Sequence, residues 1–163
     1  MNAGNPDVVV LRREIHGMRI ERYVEALAER LPDRDVRGAS TPREERELVE
    51  RAPVVTGRTR RDELLDRADA LRLFHGLFAG TGHLPLAALR DRGVAVTTAG
   101  GVHGPQIAEW VVGHMLAFAR RLREGWRRQD RREWRHYQAG ELHGSTVTVV
   151  GLGNIGSSVV ECL

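Results

Sequence analysis

The sequence contains no lysine, and all 25 basic residues among its 163 are arginine. That absence excludes Schiff-base chemistry and any phosphate-loop lysine. Cys162 is the single cysteine, which rules out an internal disulfide framework and fits a reducing compartment. Long apolar runs are missing too. The one in "MNAGNPDVVVLRRE" is far too short for a signal peptide or a membrane span, so a soluble, cytoplasmic protein is expected. There is no internal repeat and no low-complexity tract. His16, His75, His83, His136 and His143 share no metal-ligand spacing with one another or with Cys162, so no metal is expected.

What is present suits a globular chain, with 41% hydrophobic and 29% charged residues. The length allows one ordinary domain, or a small domain plus part of another. The formal charge of +3 is concentrated: "RRLREGWRRQDRREWR" (120–135) holds eight arginines against Glu124, Asp130 and Glu133, a net of +5. The remainder of the chain is therefore slightly acidic. Trp126, Trp134 and Tyr137 in and beside that stretch would suit nucleic-acid stacking. The i,i+4 pairs Arg120–Glu124 and Glu124–Arg128, and arginines spread around the helix, argue instead for a solvated or interface helix with no nucleic-acid partner.

Residues 1–98 alternate strand-like and helix-like runs. "DVVVLR" (7–12) reads as a strand. In "GMRIERYVEALAERL", residues Ile20, Tyr23, Val24, Leu27 and Leu31 fall on one helical face, stopped by Pro32. "DVRGA" (35–39) is a second strand. "STPREERELVERA" starts a helix with Ser40 or Thr41 as N-cap and Pro42 in the first position. Strands at 53–57, 71–80 and 94–99 alternate with helices at 62–68 and 84–93. Continuous apolar strands in five such units predict a parallel sheet covered on both faces, in flavodoxin-like order. A long helix is expected from Gly104 to about Leu122, with Ile107, Val111, Met115, Phe118 and Leu122 as its apolar stripe, continuing to Trp126.

The sharpest motif is Gly151-Leu152-Gly153-Asn154-Ile155-Gly156, between the apolar run Thr146–Val150 and an apolar helix pattern. Gly151 permits the tight turn, Gly153 lets backbone approach a pyrophosphate, and Gly156 allows close helix–strand packing. Helix amides from Asn154 onward would point at the phosphates. The acidic residue that holds a ribose hydroxyl stands about 20 positions further on, and Glu161 is too close to serve. The choice between NAD and NADP is therefore not written in the sequence.

"LFAGTGHLPLAALRDRGVAVTTAGGVHGPQIAEWVVGHMLAFARRL" followed by "EWRHYQAGELHGSTVTVVGLGNIG" resembles the D-isomer-specific 2-hydroxyacid dehydrogenase family over about residues 70–160. The resemblance implies a two-domain organisation. Residues 1–100 would form a substrate domain and residues 101–163 the start of an NAD(P)-binding Rossmann domain. It implies hydride transfer between a small 2-hydroxy or 2-oxo acid and NAD or NADP, and a homodimer contact around the arginine-rich stretch. Ala79, Gly80 and Thr81 match the family's loop whose amides hold the substrate carboxylate, and Gly151, Gly153, Asn154, Ile155 and Gly156 match its pyrophosphate turn. Where the family commonly has Asp, this chain has Gly82. The family's substrate-binding Arg and its Glu–His acid–base pair map to no residue here. No catalytic residue is assigned, and the chain alone is expected to be inactive. His103 is expected to make a loop or interdomain contact, and His114 lies within the long helix. The alternative is a non-catalytic module retaining weak nucleotide binding or dimerisation.

Overall fold

The computed structural model describes residues 4–13, 17–58 and 62–163. His16 lies outside them. Two compact units are resolved, Met1–Gly100 and Gly101–Leu163.

The first unit is a five-stranded parallel sheet. Its strands are β1 (Val8–Val10), β2 (Val36–Gly38), β3 (Val54–Gly57), β4 (Leu73–Gly76) and β5 (Ala95–Thr98), in spatial order β2-β1-β3-β4-β5. This is the flavodoxin-like order expected from the alternation of elements. The helices between them are α1 (Ile20–Arg30), α2 (Pro42–Val49), α3 (Asp62–Asp66) and α4 (Leu86–Asp91).

Register explains how the sheet buries both faces. Val9 pairs with Val55, Val55 with Phe74 and Phe74 with Val96, forming one row across four strands. That row packs with Leu48 and Val49 of α2, Leu64 and Leu65 of α3, and Leu89 of α4 in a single core. Val8 and Val10 point the other way, as alternation requires, and are also buried, so β1 is covered on both sides. Thr56, a buried hydroxyl facing the α1 side, is satisfied by the Tyr23 hydroxyl at 3.3 Å. β5 departs from the expected continuous burial: Ala95 and Thr97 are exposed while Val96 and Thr98 are half-buried, the alternation of an edge strand.

Helix α2 begins at Thr41 rather than Ser40. The Thr41 hydroxyl accepts from the Glu44 amide at 3.2 Å, and the Glu44 carboxylate accepts from the Ser40 amide at 2.8 Å. This is a capping box displaced by one residue. Thr41→Ala should lower the stability of the first unit by about 1 kcal/mol in urea titration. Glu45 turns inward, buried, and its carboxylate accepts from the Arg12 amide (3.0 Å) and Nε (3.3 Å).

The second unit corrects two expectations. The long helix ends at Ala119, just short of the expected Leu122, and its apolar stripe does not continue to Trp126. It divides into α5 (Gly104–Ala119) and α6 (Leu122–Asp130), because Arg121 adopts the left-handed conformation at φ 51°. The cause is nearby: the Gly140 amide donates to Ala119 O at 2.8 Å, and the Arg121 guanidinium donates to Gln138 O at 3.1 Å. A returning segment thus occupies the C-terminal carbonyls of α5. The apolar stripe is broken with it, and Phe118 is 81% exposed. Arg120 reaches Gly140 O at 3.4 Å rather than Glu124, whereas the expected Arg128–Glu124 pair forms at 2.7 Å. That hydrogen bond holds the Glu124 carboxyl below the usual carboxylate range.

The second correction concerns Thr146–Val150, expected as a strand. Residues 145–149 carry no regular secondary structure, since no strand among the described residues pairs with them. Helix α7 (Asn154–Cys162) follows and packs on α5. The contact is made by small residues: α5 buries Gly104 and Ala108, and a Cβ on Gly104 would stand 2.5 Å from the Ser158 hydroxyl of α7.

Candidate functional site

Each unit carries a loop whose backbone donors face outward. In the first, β4 runs off its carboxyl end through Leu77 and Phe78 into Ala79, Gly80 and Thr81. The turn is tied at both shoulders. Leu77 N–H donates to Gly57 O at 3.2 Å, Ala99 N–H reaches both Gly76 O and Phe78 O at 3.1 Å, and Leu84 N–H donates to Thr81 O at 2.9 Å. The Thr98 hydroxyl reaches Ala79 O at 3.5 Å.

Between those anchors the loop is open. Ala79 and Gly80 are exposed, Thr81 is half-buried, and among the described residues none accepts from the amides of Ala79, Gly80 or Thr81. Three consecutive N–H groups without an acceptor on a pinned turn are donors of the kind that can hold an anion without a cationic side chain. Their location, beyond the carboxyl ends of parallel strands, is where open α/β sheets bind ligands. Gly82 has no positive φ, and a Cβ there would meet nothing within 4 Å, so glycine is not required at that position by backbone geometry or by space.

In the second unit, Gly151 turns the chain at φ 91°, a conformation that glycine adopts without a Cβ penalty. Gly153 is the extended N-cap of α7, and a Cβ on it would meet nothing within 4 Å. Gly156 is the opposite case: a Cβ there would stand 2.0 Å from Gly151 O and 3.4 Å from Val149 Cγ1. The turn is therefore roomy on its outer side and closed on its inner side. The first-turn amides of Asn154, Ile155 and Gly156 have no acceptor among the described residues, while Ser157 N–H closes the helix on Gly153 O at 2.9 Å. Leu152 and Ile155 flank them, both exposed. The residues present fit a pyrophosphate, because open helix amides at the positive end of a dipole meet it where Gly153 leaves space.

His75 bonds the Thr97 hydroxyl at 2.9 Å, and His114 lies against the Trp110 ring and bonds Trp110 O at 2.8 Å. His103 is the N-cap residue of α5. No group of three or more metal-ligating side chains occurs among the described residues, and no described helix is long and apolar enough to cross a membrane.

The arginine-rich stretch, expected as a solvated or interface helix, is helical over Leu122–Asp130 as α6. Arg128 stacks over Tyr137 at 5.0 Å, and with Arg132, Arg135 and Trp134 they line an open groove of about 820 Å³. Sequence reasoning missed Arg58, immediately after β3, whose guanidinium carbon lies 4.8 Å above the Phe78 ring. Its one signal was position, an arginine at the carboxyl end of the strand that pairs with β4.

Residues 112–163 match the family model of the D-isomer specific 2-hydroxyacid dehydrogenase, NAD binding domain. A glyoxylate/hydroxypyruvate reductase of Arabidopsis thaliana is 34% identical over 118 residues, covering 69% of this chain and 36% of the relative. A D-3-phosphoglycerate dehydrogenase of Methanocaldococcus jannaschii is 30% identical over 101 residues, 61% of this chain and 19% of that protein. Among solved structures, a D-lactate dehydrogenase from Treponema pallidum superposes with a TM-score of 0.77 at 21% identity, covering 95% of this chain and 49% of that one. A D-lactate dehydrogenase from Aquifex aeolicus, complexed with NAD and lactic acid, gives a TM-score of 0.74 at 23% identity, covering 95% and 47%. At these identities the structural likeness is one of fold. The chain spans about a third of the first relative's length and about half of these solved structures.

Proposed function

We propose, for a chain that belongs to the D-isomer specific 2-hydroxyacid dehydrogenase family, that its two open loops bind the two reactants of an NAD(P)-dependent interconversion of 2-hydroxy and 2-oxo acids. In this reading Ala79, Gly80 and Thr81 hold the substrate carboxylate through their amides. Gly151, Gly153, Asn154, Ile155 and Gly156 hold the pyrophosphate. When bound, the nicotinamide supplies or accepts a hydride, and the protein's part is position and charge. The residues do this with backbone alone: the pinned turn after β4 fixes the carboxylate, and the α7 amides fix the phosphates in the direction of the helix dipole.

The observation that carries the proposal is the set of unoccupied amides at Asn154–Gly156, behind a turn that only Gly151 makes comfortably. Titrating NADH into the 15N-labelled chain should move the amide signals of Gly151, Gly153 and Gly156 saturably, with weak affinity. No movement at these glycines up to about 10 mM NADH would remove the cofactor half of the reading.

This reading gives the chain binding groups and assigns it no proton-transfer group. His75 and His114 are already bonded to neutral oxygens. The 163-residue chain should therefore show no NADH oxidation with a panel of 2-oxo acids, measured by absorbance. The exposed Trp110, Phe118 and Trp126 support self-association through the second unit, to be checked by sedimentation equilibrium.

A further inference from the structure

Helix α5 stops and α6 starts without any of the residues that usually do either. From Met115 to Glu124 the chain reads "MLAFARRLRE", a helix-compatible run with no glycine or proline. No glycine follows Ala119 as a left-handed cap, and Arg121, at the N-cap of α6, contributes no side-chain cap. Instead Arg121 itself is left-handed at φ 51°, and Arg132, beyond the other end of α6, is left-handed at φ 56°. Among the described residues, no other non-glycine residue has a positive φ. An arginine in that conformation is strained, and it persists only where its surroundings force it.

The force comes from residues 133–140, a strap that runs back along α6. Arginines hold its carbonyls in order. Arg128 donates to Arg135 O at 3.3 Å and His136 O at 3.2 Å, Arg121 to Gln138 O at 3.1 Å, and Arg120 to Gly140 O at 3.4 Å. Tyr137 lies among them, with the Arg128 guanidinium 5.0 Å over its ring. It also sits so close to Gly125 that a Cβ there would stand 2.6 Å from the Tyr137 hydroxyl. Finally, the Gly140 amide donates to Ala119 O at 2.8 Å. That carbonyl is the one a continuous helix would offer to the Arg123 amide.

We propose that the Ala119–Leu122 junction is a two-state joint: with the strap docked the helices are separate, and with the strap released α5 and α6 join into one helix over residues 104–130. Each state uses the groups that the other diverts. In the joined form Ala119 O accepts from Arg123, Arg121 returns to the right-handed region, and Arg120 comes within reach of Glu124 one turn on. In the bent form the strap takes Ala119 O and both arginines. Two arrangements that give the same atoms different partners make an element bistable. The groove of about 820 Å³ between α6 and the strap belongs to the docked state alone, so the joint opens and closes it.

The test is a distance measurement by electron spin resonance on the full chain. Spin labels go on Gln106→Cys and Gln129→Cys in a Cys162→Ser background. A joined helix puts these positions about 35 Å apart, and the bent form holds them closer. Gly140→Pro removes the amide that occupies Ala119 O and should move the population to the long distance. Arg121→Ala and Arg121→Gly form the second test, because both lose the bond to Gln138 O and differ in backbone preference. The ratio of joined to bent forms should be at least about fivefold higher with alanine than with glycine. If Gly140→Pro shifts the amides of Gly104 and Ala108, the α5–α7 contact is lost, and the Arg121 pair decides.

A short distance that stays unchanged in both Gly140→Pro and Arg121→Ala overturns the proposal. So does a broad distribution with helical 13Cα shifts lost over residues 122–130, since α6 then melts on release and does not join α5. Equal ratios in the alanine and glycine variants overturn it as well.

Discussion

Gly156→Ala is expected to lift α7 off the turn before it and to weaken nucleotide binding by at least about tenfold. The added methyl would lie 2.0 Å from Gly151 O, and the obstacle is backbone rather than the end of a flexible side chain. Either the turn at Gly151 opens or the first turn of α7 tilts, and both displace the amides of Asn154, Ile155 and Gly156. Gly153→Ala is the informative contrast, because its methyl meets nothing within 4 Å. It should leave α7 in place and obstruct only the approach of the ligand. Amide exchange separates the two variants: α7 should lose protection in Gly156→Ala and keep it in Gly153→Ala, while NADH-induced shifts shrink in both. Wild-type exchange and affinity in Gly156→Ala would show that the contact between turn and helix has no role in binding.

Gly57→Ala should cost the first unit about 3 kcal/mol. Gly57 closes β3 at φ 148°, and an added Cβ would lie 2.5 Å from Leu11 Cβ and 3.2 Å from the Leu11 amide nitrogen. Leu11 cannot yield easily, since it is fully buried and its amide donates to Thr56 O at 2.9 Å. Backbone strain and overpacking therefore add at one position. The measurement is urea denaturation, with a lower midpoint and an unchanged slope. A loss below about 1 kcal/mol would mean that the β1–β3 ends are looser than their packing implies. Gly57 O also accepts from Leu77, so a folded variant should disturb Phe78 and Arg58 first.

Most of the first unit was legible because its signals are local. The 3-4 spacing from Ile20 to Leu31 and the stop at Pro32 define α1 to within a few residues, and Thr41–Pro42 marks the start of α2. Strand order followed from the alternation of five β-α units, for which the flavodoxin-like order is a common arrangement. Legibility failed wherever a distant segment decides the outcome. Nothing near Arg121 marks a left-handed residue, since the interruption comes from residues 138–140 returning to the end of α5. The β-branched run at 146–150 has strand propensity, yet a strand is a pairing, and propensity supplies no partner. Both candidate loops were named from glycine spacing and family likeness. Arg58 was not, because its place over the Phe78 ring exists only once the chain is folded.

The second unit buries little more than Gly104, Ala108 and Val159. Trp110, Phe118, Val150 and Leu152 stay exposed. So thin a core predicts low intrinsic stability for the α5–α7 pair, a condition in which ligand linkage governs its population. A ligand that seats on the α7 amides only when the helix is formed adds about 2.7 kcal/mol at a hundredfold excess over its dissociation constant. That is a small increment to a well-packed domain and a decisive one here. The melting curve of this unit thus becomes a binding isotherm in disguise, reporting cofactor occupancy through temperature without any turnover.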